Sequence, residues 1–131
     1  MTPRRRGPIA VATLMTLAAA AACRGNNPER GVAGSVDTGG SPARGRAVIE
    51  QYDCGSCHTI PGVRGARGLV APPLFWFSRR TFIAGELPNT PANLVRWVRE
   101  PQDVEPKTAM PALGLSDQQA RDVAAYLYTL R

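Results

Sequence analysis

The chain has 131 residues, with 16 Lys and Arg against 10 Asp and Glu, one histidine and three cysteines. That length holds a single domain of ordinary size. Arg4, Arg5 and Arg6 precede the first apolar run; without them the formal charge falls from +6 to +3, which removes half the support for a nucleic-acid partner.

Taken from the start, MTPRRRGP is a basic leader, and Ile9 to Ala22 is an unbroken run of apolar, small or threonine residues. The run is shorter than the roughly 20 residues a membrane-spanning helix needs. Residues 1–22 therefore read as a secretory signal, and the protein is expected on the exported, periplasmic side. The signal ends in LAAAAAC, which resembles the lipobox of bacterial lipoproteins, with Ala20 where those usually carry leucine. On that reading Cys23 takes the lipid and anchors the chain to the membrane. The other reading is ordinary cleavage at the same alanines, which leaves Cys23 as a spare thiol or removes it. Residues 24–41, RGNNPERGVAGSVDTGGS, show no apolar periodicity and are dense in Gly, Asn, Ser and Pro. Residues 23–41 are thus expected to be a flexible tether, reaching about 25 Å as a random coil.

Residues 42–131 form the expected folded domain, near the lower limit for a self-sufficient core. A first helix starts at Ser41-Pro42, an N-cap followed by proline at the first helical position, and runs through ARGRAVIEQYD with Val48, Ile49 and Tyr52 on one face. A second starts in the same way at Thr90-Pro91, presents Leu94, Trp97 and Val98, and stops before Pro101. The last starts at Ser116 with Gln119 three residues on, a capping box, and carries the stripe Val123, Tyr126, Leu127 and Leu130. No segment alternates long enough to predict a sheet. The fold class is all-α, with three main helices and long Gly- and Pro-rich loops.

CGSCH, residues 54–58, lies between the first helix and those loops. Zinc needs four protein ligands in a structural site or about three in a catalytic one; beyond Cys54, Cys57 and His58 there is no second histidine, and the remaining cysteine is Cys23. A redox disulfide of the Cys-x-x-Cys type expects a βαβ setting, for which no strands are predicted. Covalent haem attachment uses every residue: the two thiols add across the porphyrin vinyl groups and the histidine reaches the iron. Outside the signal the single methionine is Met110. Methionine in a small helical domain is ordinarily core filling, but Met110 sits in a loop between Pro106 and Pro111 and is a candidate for the second axial position.

These pieces together resemble class I cytochromes c over residues 42–131, through GRAVIEQYDCGSCH, APPL, NLVRWVREP, TAMP and DVAAYLYTLR. The resemblance implies a cytochrome c-like fold wrapped around one covalently bound haem c. It implies thioether attachment at Cys54 and Cys57, and His58 and Met110 as axial ligands. The Pro72 carbonyl would accept the proton on the other ring nitrogen of His58, with Leu74 a haem contact, Trp97 an aromatic ring near the methionine sulfur, and Thr108 a hydroxyl meeting a propionate. Gly45 and Tyr126 resemble the crossing of first and last helices, the register leaving open which small residue makes the contact. CHTIPGVRGARGLVAPPL and AAYLYTLR are similar to bacterial haem domains that serve haem–copper oxidases.

The function implied is electron transfer by a mono-haem carrier in a respiratory chain, donating to a terminal oxidase and monomeric outside a complex. Its redox partners would be a haem–copper oxidase or a quinol–cytochrome c oxidoreductase. Arg64, Arg67, Arg79, Arg80, Arg96, Arg99 and Lys107 are candidates for the docking surface, or simply a solvated charged surface. Two alternatives stand beside this: a fixed haem subunit of a larger oxidase or dehydrogenase, and a five-coordinate haem enzyme or gas sensor with Met110 displaced. A second histidine for acid–base chemistry is missing, which disfavours peroxidase activity.

Overall fold

The computed structural model describes residues 36–131; the expected signal, Cys23 and most of the expected tether lie outside the described residues. Proline opens three of its four helices, α1 (Pro42–Gln51), α2 (Pro91–Arg99) and α3 (Pro101–Val104). At the first helical position its missing N–H costs no intrahelical bond and its fixed φ already suits the helix. The Thr90 hydroxyl accepts from the Asn93 N–H at 3.3 Å and caps α2. α4 (Asp117–Leu127) carries the full capping box, with the Gln119 N–H donating to the Ser116 hydroxyl and the Ser116 N–H to Gln119 Oε1.

Three differences from the sequence reading have local causes. α1 stops at Gln51, two residues before Asp53, because Asp53 turns into the left-handed region (φ 50°) and opens a one-turn 3₁₀ helix over Cys54–Ser56. α3 is a fourth, single-turn helix beyond the three expected: the proline that ends α2 is equally suited to begin the next turn. A minimal antiparallel ladder pairs β1 (Phe82–Ile83) with β2 (Leu87–Pro88), Ile83 opposite Leu87. Its turn places Ala84 and Gly85 at φ 53° and 79°, the both-positive pattern of a tight hairpin. Two residues per strand are too few for alternation to register in the sequence.

α1 and α4 cross at closest approach where Gly45 meets Asp122 and Tyr126. A Cβ on Gly45 would fall 1.9 Å from the Asp122 carbonyl oxygen and 3.0 Å from Tyr126 Cβ, so only glycine fits. α2 packs on α4 as well. Ile49, Leu94, Ala120, Val123, Ala124 and Leu127 from these three helices are almost wholly removed from water. Contacts with α4 begin ahead of Pro42. The Thr38 hydroxyl donates to the Arg121 carbonyl at 3.0 Å, and the Ser41 N–H to Asp122 Oδ1 at 2.7 Å. Among the described residues no helix is long and apolar enough to cross a membrane.

Candidate functional site

The 3₁₀ turn sets the geometry of the cysteine motif. The His58 N–H donates to the Cys54 carbonyl at 3.0 Å, and the Ser56 hydroxyl to the Asp53 carbonyl at 2.7 Å, so the five residues form one closed turn. Gly55 is required there, since a Cβ would lie 2.7 Å from Ala66. Cys54 and Cys57 are free thiols, each partly buried.

His58 Nδ1 lies 2.7 Å from the Pro72 carbonyl oxygen. A carbonyl only accepts, so Nδ1 is the donor, and in the neutral ring the lone pair lies on Nε2. This is the arrangement in which a histidine serves a metal: one nitrogen oriented by a carbonyl, the other available. The ring lines an apolar cleft together with Cys54, Leu74, Trp97 and Met110, backed by Ile49, Leu94 and Leu127 of the helices. The cleft opens to solvent and its cavity volume is about 70 Å³, so the chemistry of its lining decides its fit to a ligand. Its donor set is an imidazole nitrogen and a thioether sulfur in apolar walls, with a thiol at the edge, and that fits a covalently held haem. Among the described residues no group of three or more His, Cys, Asp or Glu side chains is placed to share a metal ion.

Of the residues expected from the sequence, Cys54, His58, Leu74, Trp97 and Met110 come together in this cleft. Cys57 does not line it and sits at the end of the 3₁₀ turn, with the Ser56 hydroxyl 3.9 Å from its sulfur. Pro72 is exposed and takes part through its carbonyl alone. Thr108 stands outside the cleft, and its hydroxyl accepts from the Met110 N–H at 3.2 Å. Gln102, which the sequence reading missed, donates from Nε2 to the Met110 carbonyl at 2.7 Å, so α3 and Thr108 between them fix the backbone of Met110. Of the candidate docking cations, Arg80, Arg96 and Arg99 are engaged internally, on the Pro73 carbonyl, the Asp103 carbonyl and the Glu100 and Asp117 carboxylates respectively.

A small helical domain in which a Cys-x-x-Cys-His turn, a carbonyl-oriented histidine and a loop methionine share one apolar cleft belongs to the class of covalent haem proteins. The sequence model of the family described as Cytochrome c matches residues 42–131. The chain belongs to that family, as a class I cytochrome c related to oxidase-linked domains. It is similar to the protein named cytochrome c oxidase subunit 2 of Alkalihalophilus pseudofirmus, 37% identical over 90 residues, covering 67% of this chain and 25% of the relative. It is also similar to the protein of the same name from Bacillus sp. (strain PS3), 32% identical over 91 residues, covering 66% of this chain and 25% of the relative. The chain thus matches about a quarter of the length of each. The family implies covalently bound haem c and electron transfer.

Proposed function

We propose that this protein is a mono-haem electron carrier of a respiratory chain, held at the periplasmic side of a membrane by a lipid on Cys23 and donating to a haem–copper oxidase. Cys54 and Cys57 would hold the porphyrin by thioether bonds, and His58 and Met110 would ligate the iron. The haem supplies one-electron redox chemistry; the chain supplies ligation, an apolar wall and a docking surface. The observation that carries the reading is the 2.7 Å approach of His58 Nδ1 to the Pro72 carbonyl on a ring that shares its cleft with Met110. A filled sixth site favours electron transfer over gas or peroxide binding. The similarity to proteins named as oxidase subunits supports an oxidase as partner, and equally supports a fixed subunit in place of a mobile carrier.

The test is spectroscopic, on haem-loaded protein purified from membranes. With Met110 ligating, both oxidation states are low-spin and the oxidised protein shows the weak sulfur-to-iron band in the near infrared. Met110→Ala abolishes that band, admits carbon monoxide to the reduced iron and lowers the reduction potential, because the thioether favours ferrous iron. A wild-type protein that is already high-spin and binds carbon monoxide avidly would falsify the carrier reading in favour of a sensor or enzyme. Made as Cys23→Ser, the same protein is expected in the soluble fraction with its spectrum unchanged. Co-purification with an oxidase in mild detergent identifies a fixed subunit.

A further inference from the structure

Pro72 and Pro73 carry no N–H, so this stretch of chain cannot tie itself down by donating. Backbone bonds hold it only at its edges, from the Ala71 N–H to the Cys57 carbonyl at 3.0 Å and from the Leu74 N–H to the Thr59 carbonyl at 2.9 Å. Between them, two carbonyls accept from outside. That of Pro72 faces His58 Nδ1, and that of Pro73 receives the Arg80 guanidinium, which also reaches the Phe75 carbonyl at 3.5 Å.

Arg80 is itself well fixed. Its guanidinium lies over the Phe77 ring, 5.2 Å from the centroid. Asn89 Nδ2 donates to the carbonyls of Arg80 at 2.9 Å and Phe77 at 3.1 Å, and the Tyr128 hydroxyl donates to Asn89 Oδ1 at 2.8 Å. The segment gripped by Arg80 runs into Trp76, whose φ of 49° is in the left-handed region. A bulky residue is strained there and stays only where its surroundings hold it.

We propose that Arg80 is a positioning residue for His58: by gripping the Pro73 and Phe75 carbonyls it keeps the Pro72 carbonyl on the Nδ1 proton, and so sets the donor strength of the ring's other nitrogen. The proposal rests on the haem reading and adds to it a residue that touches neither the iron nor the histidine. A carbonyl held firmly on Nδ1 makes the ring a stronger donor, which favours ferric iron, so a looser grip raises the reduction potential. The charge of Arg80 works the other way, since a nearby cation favours the ferrous state and its loss lowers the potential. Lysine separates the two effects. It keeps the charge and loses the guanidinium plane that lies over the Phe77 ring and aims Nη2 at both carbonyls.

Wild-type and Arg80→Lys proteins, both matured with haem, are compared by redox titration and by the exchange rate of the His58 Nδ1 proton in the ferrous state, read by NMR. The expected result is a higher potential and about tenfold faster exchange in Arg80→Lys, the equivalent of one weakened hydrogen bond. If Arg80→Lys does not mature, Arg80→Gln is scored on exchange alone, because there the lost charge also moves the potential. Unchanged exchange, whatever the potential does, overturns the role of Arg80 and leaves the haem reading standing. A wild-type chain that carries no covalent haem after maturation overturns both.

Discussion

Asp122 is 3% exposed, and its carboxylate is satisfied from three directions. Oδ1 accepts from the Ser41 N–H, from the Arg44 guanidinium and from Gln118 Nε2, while Oδ2 accepts from Arg44 Nε at 3.0 Å. Burial by itself pushes the carboxyl pKa up; the bonds from Arg44, Ser41 and Gln118 outweigh it and hold the group below its ordinary value. A carboxyl depressed on folding contributes stability in full above its unfolded pKa, and loses it as pH falls through the folded value. Asp122→Asn is therefore expected to cost about 2 kcal/mol at neutral pH, less than a fully buried pair would, because Arg44 is half exposed and screened. The gap to wild type should begin to narrow below about pH 4, where the unfolded carboxyl takes up its proton, and close only below the depressed native value. Urea unfolding of both proteins at pH 7 and pH 3 measures it; a gap of equal size at both would assign the effect to bond geometry rather than charge. Nothing in the sequence singles out Asp122, which reads as one more polar residue on α4, because its burial depends on Ser41 and Arg44 far away in the chain. His58 was legible because a Cys-x-x-Cys-His motif is local and the histidine has no rival in the chain.

Between elements, the crossing of α1 and α4 sets two expectations for Gly45→Ala against each other. Helix propensity alone would favour alanine by about 1 kcal/mol. The added Cβ would fall 1.9 Å from the Asp122 carbonyl oxygen and 2.5 Å from its carbon, both backbone atoms of a buried helix that cannot give locally. Overpacking of that kind costs about 3 kcal/mol or more, so Gly45→Ala is expected to lower stability by at least about 2 kcal/mol, measured by chemical denaturation of the haem-loaded protein. A neutral or stabilised variant would mean that the two helices slide apart at little cost. Helix starts were readable from Ser-Pro, Thr-Pro and Ser-x-x-Gln because caps act within one turn. The small residue that makes the crossing was not settled by register; Gly45 emerges only when Tyr126 is placed over Gly62, its hydroxyl donating to the Pro61 carbonyl at 2.6 Å. Thr108 and Gln102 show the same limit from the other side. Their roles at Met110 depend on how α3 folds back, and a single turn begun by Pro101 has too few residues to show a period.

For the molecule as a whole, the three longer helices do not close on one another completely. Val48 and Ile49 of α1, Leu94, Trp97 and Val98 of α2, and Val123 and Leu127 of α4 all border the same cleft, so the core is arranged around a space. At roughly 24 cal/mol per Å³, the cleft's cavity of about 70 Å³ costs on the order of 2 kcal/mol when empty, a large share of the margin of a domain this small, and the chain loses every contact to the haem besides. Cys54→Ala combined with Cys57→Ala, which removes both attachment points, is accordingly expected to yield a chain with little cooperative structure. Its helical circular dichroism should be weak and decline gradually on heating, while the haem-loaded wild type melts in one sharp transition. The wild type should also keep its haem through acid–acetone extraction and denaturing electrophoresis, as thioether bonds require. If the double variant melts cooperatively within a few degrees of the wild type, the helices pack adequately without a filled cleft, and the gap between them is then a functional opening that the fold tolerates rather than one it depends on filling.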